Sequence, residues 1–205
     1  MDRSRALRTV LIASPALILA GFGCVHPAHL GAGTAQWWST LHVLLLPVFP
    51  LLGAAQWVLL ADAPVWPRRT GRVAAASFAV YYDGLDAVDG IAAGALVHTQ
   101  GRWTDATAAV FHIGDRLGHV GAWSFLVAGL AITVAIALRA GLAALPGGLL
   151  LLASSVSFLD SHIFWPRGVF TMLGIAGGMS LLAIAGSTRR SPRIAATSGA
   201  RAAGP

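Results

Sequence analysis

Three aspartates recur at intervals of three residues inside one apolar stretch of the chain. They are Asp83, Asp86 and Asp89, and Tyr82 precedes them. Each residue of an α-helix turns by about 100°, so the three carboxylates fall within a sector of about 120° and share one face. Carboxylates at this spacing could bind a cation, pass a proton or hydrogen-bond to a facing helix. We predict a polar site at these four residues.

Histidines provide a second set of residues capable of chemistry. Imidazole is the commonest metal ligand and titrates near neutral pH. His112, Asp115 and His119 recur at i, i+3 and i+7, which on a helix gives one stripe whose carboxylate could orient or join two ligands. The candidate metal or ligand residues are His42, His98, His112, Asp115, His119, Asp160 and His162.

Each of these patterns also has an interpretation that needs no site. Histidines are stable at the headgroup level of a membrane, and a polar stripe is typical of an interfacial amphipathic helix. A neutral aspartic acid can hydrogen-bond between helices and do nothing else. Three acids on one face favour a site over this last reading, because ionisable residues within a membrane are usually functional.

Membrane-spanning helices are the elements that would position these residues. Of 205 residues, 56% are hydrophobic and 11% are charged, against about 25% charged in a soluble domain. A span needs about 20 apolar residues. We predict an all-α, polytopic six-helix membrane bundle as one domain over residues 1–187, followed by a disordered basic cytoplasmic tail over 188–205. The predicted spans are residues 7–23, 40–60, 73–97, 118–138, 142–159 and 168–186.

The span over residues 73–97 holds the three aspartates, with Asp83 and Asp86 near its midpoint. An ionised aspartate at the centre of a span costs about 2.5–3.5 kcal/mol, whereas each Leu, Ile, Phe or Val returns only about 0.3–0.6 kcal/mol. This helix is therefore unfavourable in lipid alone. Protonation, partners in the bundle, a bound cation or water must compensate it.

The arginines predict the orientation of the bundle. All 14 basic residues are Arg, and 11 of them fall in segments that are cytoplasmic when both termini are inside. Positive charge is retained on the cytoplasmic side in this way. In this orientation all seven histidines lie at the outer side, and the first outer loop contributes His26 and His29.

Several classes of function are excluded by missing motifs. The chain lacks the histidine clusters of membrane di-iron enzymes, a glycine-rich phosphate loop and a GxSxG nucleophile motif. Its basic residues form no aromatic-interleaved patch, so we expect the lipid bilayer and no nucleic acid as partner. The absence of Lys and Asn is typical of a GC-rich coding sequence and favours a bacterial cell membrane.

Three functional hypotheses remain. In the first, an outward-facing His/Asp site binds a metal, haem or a small polar ligand. With one Cys and three Met, an imidazole–carboxylate site for Zn, Fe, Cu(II) or haem iron is favoured over a Cu(I) carrier. In the second, the carboxylates serve a small proton- or cation-coupled transporter or channel. In the third, the chain is a membrane scaffold or accessory subunit without chemistry. No catalytic residue is predicted.

Overall fold

The computed structural model describes residues 3–187, and in this range the chain is helical with no strand. The predicted all-α architecture is confirmed. The predicted disordered tail, residues 188–205, lies outside the described residues. The helices are α1 (Arg3–Gly23), α2 (Ala35–Leu45), α3 (Val48–Leu59), α4 (Val65–Leu85), a π-helix (Asp86–Ala92), α5 (Ala93–Gln100), α6 (Asp105–Ala140), α7 (Leu145–Ser161) and α8 (Arg167–Ser187).

Several of these helices are compatible with a membrane. Four helical stretches within the described residues are long and apolar enough to cross one: Arg3–Gly23, Ala35–Leu59, Asp105–Ser161 and Arg167–Ser187. Five of the six predicted spans, all except residues 73–97, overlap these four stretches, because α6 and α7 follow each other through a short 3₁₀ turn, Gly141–Ala144. The helix that carries the aspartates does not qualify, since arginines and aspartates interrupt its apolar character.

Prolines account for the break between α2 and α3. Pro47 lies between the two helices and Pro50 in the first turn of α3. A proline has no backbone N–H and its ring crowds the preceding turn, so it ends or bends a helix. By contrast α4, the π-helix and α5 follow one another without a loop from Val65 to Gln100. They form an aspartate-bearing rod that is longer than the predicted span.

The aspartate-bearing rod packs antiparallel against α6. Along α6, Gly114 lies against Asp89, Gly118 against Leu85 and Gly121 against Tyr82. Small residues at such positions let two helix backbones approach closely, which is a common way for helices to associate in lipid. Farther along the bundle, a core of fully buried aromatic rings holds the helices together: Phe49, Phe78, Phe125 and Phe158.

The two ends of the bundle differ in chemistry. At one end Arg8 donates to the carbonyl of Val58 (3.0 Å) and Arg139 donates to the carbonyl of Gly186 (3.2 Å). At the opposite end the loop after α1 meets the loop between α7 and α8, where Gly23 packs on the backbone of Ile163. Histidines gather at this second end.

Candidate metal centre

Three histidines from separate parts of the sequence converge in the structure. His26 lies in the loop after α1, His42 in the second half of α2, and His162 directly after α7. One ring nitrogen from each lies within 4.8 Å of the other two. His26 and His42 are 7% and 1% exposed, and His162 is partly buried. We call these three residues the histidine triad.

Backbone carbonyls fix the protonation of two triad imidazoles. Nδ1 of His26 lies 2.8 Å from the carbonyl oxygen of Pro27, and Nδ1 of His42 lies 2.7 Å from that of Trp38. A carbonyl oxygen only accepts hydrogen bonds, so each Nδ1 carries the hydrogen and donates it. In the neutral ring Nε2 is then left with a free lone pair. This is how metal-binding histidines are commonly oriented.

The two free nitrogens face each other. Nε2 of His26 and Nε2 of His42 are 3.5 Å apart. Two lone pairs at this distance repel, whereas a cation between them satisfies both. In a tetrahedral zinc site the Zn–N bonds of about 2.0–2.1 Å place the nitrogens about 3.3–3.4 Å apart. The separation in the protein is therefore close to the one that a bound metal requires.

The third imidazole is held by a tyrosine. The Tyr82 hydroxyl oxygen lies 2.7 Å from Nδ1 of His162, and the two rings stack with centroids 5.7 Å apart. His162 also has a backbone φ of +45°, a conformation that is unusual for a residue other than glycine and that often marks a functional position. Tyr82 was predicted to belong to the aspartate site, and in the structure it contacts the triad.

Aromatic rings surround the triad and limit the access of water. The His26 ring packs edge-on against Trp38 (centroids 4.8 Å apart) and Phe164 (4.6 Å). Burial lowers the pKa of His26 despite its bond to Pro27. Burial, and then the neighbouring His26 and His42, hold the pKa of His162 well below its usual range. Both imidazoles are neutral at pH 7, and this is the form that binds metals.

The aspartates lie on the aspartate-bearing rod and are not part of the group of ring nitrogens within 4.8 Å of one another. Asp86 is 0% exposed and Asp89 is 5% exposed, whereas Asp83 is half-buried. Neither carboxylate oxygen of Asp86 has a hydrogen-bond partner among the described residues, and Oδ1 of Asp89 also has none. Buried polar groups are nearly always hydrogen-bonded, so such exceptions are typical of strained or functional positions.

The three aspartates diverge more than an ideal α-helix predicts. The helix widens into the π-helix at Asp86, and π-helical turns are frequent at functional sites. A Cβ atom on Gly114 of α6 would overlap the Asp89 carboxylate, so Asp89 points towards α6. A Cβ atom on Gly90 would overlap the ring of His42, so the face that carries Gly90 points towards α2.

The remaining candidate residues lie on the surface. His98, His112, Asp115, His119 and Asp160 are all exposed and do not join the triad. The predicted stripe on α6 exists, with Arg116 3.2 Å from His112 and the His119 ring donating to the carbonyl of Asp115. Asp160 pairs instead with Arg167 at 2.6 Å. Of the candidates, only His42 and His162 reach the triad.

His26 is the triad residue that was not among the candidates. It was placed in the first outer loop, with no partner assigned. Its spacing to His42 is not a helical repeat, and the distance to His162 is closed only by the tertiary fold. The one local signal is its Pro27 neighbour, whose carbonyl fixes the ring.

A scan against protein-family models, a search of curated proteins and a search of solved structures found no match to this chain.

Proposed function

We propose that this chain is a polytopic membrane protein that binds a transition-metal ion through His26, His42 and His162. The convergence of three ring nitrogens within 4.8 Å is the observation that carries the proposal. The carbonyl-bound Nδ1 atoms of His26 and His42 support it, because they leave Nε2 unprotonated and directed at a common point. The role that follows is metal handling or redox chemistry at the outer side of the membrane.

The chemistry of the donors favours an ion of intermediate softness. Imidazole suits Zn, Cu(II), Fe and Ni, whereas Cu(I) prefers thiolates and thioethers. The chain has a single cysteine, Cys24, which is exposed. A single ion also fits better than haem. The triad rings lie within 5.0–6.3 Å of one another, which leaves no slot for a porphyrin between two axial imidazoles.

Metal analysis of detergent-purified protein tests the proposal. We expect one equivalent of a transition metal, retained through size exclusion, and its loss in His26→Ala, His42→Ala and His162→Ala. His98→Ala and His119→Ala are matched controls, because both histidines are exposed, and they should keep the metal. Equal metal content in the triad variants and the controls would reject the triad as the binding site.

We further propose that the chain crosses the membrane six times, with both termini in the cytoplasm and the triad at the outer side. The distribution of arginines supports this orientation, as do Arg8 and Arg139 at the bundle end opposite the triad. The aspartate-bearing rod would be the span that is least stable in lipid by itself. Its packing along the glycine positions of α6 supports a place inside the bundle.

Cation transport is a second candidate function, favoured by the buried carboxylates of Asp86 and Asp89 that lack hydrogen-bond partners. A transporter would move metal into liposomes that contain the purified protein, and Asp86→Asn would abolish the uptake. Binding without uptake would leave the protein as a metal-binding membrane subunit. A scaffold without chemistry predicts that Asp83→Asn combined with Asp86→Asn has no effect on either readout.

A further inference from the structure

Resting on the proposed metal-binding function, we infer that the carboxylate of Asp86 is the fourth donor of the centre, which makes it a three-histidine, one-aspartate site for a divalent cation. The metal would then be enclosed by protein ligands, with no open coordination position for a substrate. Such a closed site stores, transfers or structurally uses its ion, and does not activate a water molecule as an open zinc site does.

The first support is the state of the Asp86 side chain. It is 0% exposed, and neither of its oxygens has a hydrogen-bond partner among residues 3–187. The charged form of an isolated buried carboxylate is costly, so such a group takes up a proton, pairs with a cation or coordinates a metal. No arginine among residues 3–187 donates a hydrogen bond to Asp86, whereas Asp160 pairs with Arg167 on the surface.

The second support is its position between two contacts with the triad. Tyr82, Asp86 and Gly90 follow each other at four-residue intervals and therefore share one face of the rod. At one end of this face the Tyr82 hydroxyl contacts His162. At the other end Gly90 packs directly on the ring of His42. Asp86 lies one helical turn from each of these contacts. Its oxygens are not among the donor atoms that lie within 4.8 Å of one another, so the carboxylate must turn towards the histidines when the ion binds.

The helices α3 and α2, which pack on this face of the rod, contact it at the same two ends. On α3 the ring of Phe49 lies against Tyr82, with centroids 4.6 Å apart, and on α2 the ring of His42 lies against Gly90. The segment between Phe49 and His42 therefore faces Asp86. This segment contains Leu45, which is fully buried and has no polar atom in its side chain. Leu45 therefore offers the carboxylate no hydrogen bond, and a triad ion would supply the charged partner.

Charge gives the third support. Three neutral imidazoles provide no negative charge, so a divalent ion among them would keep both of its positive charges in a water-poor environment. An adjacent carboxylate removes one of these charges, and the ion in turn compensates the buried carboxylate. Imidazole and carboxylate together suit Zn(II), Co(II), Fe(II) and Mn(II), and disfavour Cu(I).

Asp89 provides the matched comparison. It lies one turn from Asp86 on the same rod, has the same side chain and is almost as buried, at 5% exposed. Its carboxylate, however, packs against Gly114 and so points towards α6. A general need for negative charge near the ion would involve both aspartates. A coordination bond would involve Asp86 alone.

Titration of the metal-stripped protein with Co(II), followed by visible absorption, tests the inference. We expect intense tetrahedral bands in the wild type. Asp86→Asn should weaken Co(II) binding by at least about tenfold and shift the bands, while Asp89→Asn should change the affinity by less than about threefold. If Asp86→Asn binds Co(II) with the affinity and the spectrum of the wild type, the inference is overturned. Equal weakening by both variants would also overturn it, because charge alone would then be the cause.

A measurement on the unaltered protein covers the case in which Asp86→Asn does not fold. Azide binds to open positions on Co(II) and changes its spectrum. We expect no change on adding azide to the wild-type Co(II) protein, because Asp86 fills the fourth position, and a change would overturn the inference. If His42→Ala abolishes the bands while azide alters those of the wild type, only the role of Asp86 fails. If the wild type binds no Co(II), both the proposed metal centre and the role of Asp86 in it are rejected.

Discussion

The hydroxyl oxygen of Tyr82 lies 2.7 Å from Nδ1 of His162 and joins the aspartate-bearing rod to the histidine triad. For His162 to bind a metal through Nε2, its Nδ1 must carry the hydrogen and donate it to the tyrosine oxygen. Tyr82 is 3% exposed, so water cannot readily replace it. With a metal bound, the tyrosine would act on His162 as the Pro27 and Trp38 carbonyls act on the other two histidines.

Replacing Tyr82 by Phe should weaken metal binding while the protein still folds. The ring, its stacking on His162 and its packing against Phe158 are retained, and only the hydrogen bond is lost. Removal of an orienting partner of this kind typically lowers metal affinity by about 10–100-fold. Competition with a chromophoric chelator measures the change. Tyr81→Phe is the control, because Tyr81 is exposed, and equal affinity in both variants would argue against an orienting role for Tyr82.

Replacing Gly90 by Ala should disturb His42 directly. The added methyl group would overlap the His42 ring, and forcing extra volume into a packed interior typically costs about 1–3 kcal/mol. We expect a lower thermal unfolding midpoint in detergent together with reduced metal content. Gly21→Ala in α1 is a suitable control, because nothing lies within 4 Å of its added methyl group. A Gly90→Ala protein that keeps its metal would show that His42 is not held as the structure indicates.

Replacing Asp160 by Asn should have little effect. Its salt bridge with Arg167 joins two side chains that are 65% and 59% exposed, and such surface pairs contribute less than about 1 kcal/mol. We expect unchanged metal content and a nearly unchanged unfolding midpoint, measured beside the wild type. Loss of metal in this variant would show that Asp160 contributes to metal binding and that the centre lies closer to the surface.

Labelling of the single cysteine tests the orientation of the unaltered protein in the membrane. Cys24 is exposed and lies two residues before His26 in the first loop. A membrane-impermeant maleimide should label it in intact spheroplasts when the triad faces outward. The control is Ala61→Cys in a Cys24→Ser background, since Ala61 is exposed in the loop at the opposite end of the bundle. This cysteine should react only after lysis. The reverse pattern would contradict the proposed topology.

Local patterns predicted the apolar helices well, because span length and charge depletion depend on consecutive residues. The same reasoning missed the extent of the helix that bears the aspartates. It was predicted to cover residues 73–97, whereas the structure shows a continuous rod over Val65–Gln100. Packing along the glycines of α6 supports this rod where its own composition would not. The π-helix was also not predicted, because no local pattern of residues indicates it.

The histidine triad could not be predicted from the periodicity of the sequence. His112, Asp115 and His119 form a clear helical repeat, yet this repeat lies on the surface of α6. His26 and His162 share no repeat with His42, and they meet it only because α1 and α7 end at the same level of the bundle. Periodicity identifies which face of a helix is polar. It does not identify which loops will meet across the bundle.

The π-helix at Asp86–Ala92 has a consequence for the register of the whole rod. A π-turn holds one residue more than the α-turn it replaces, so it is equivalent to a single inserted residue. Deleting that residue would rotate everything beyond it by about 100° relative to α4. Gly90 and Gly94 would then turn away from His42 and Ser39, against which they pack. The spacing of the triad thus depends on one residue in a helix that supplies none of its three imidazoles.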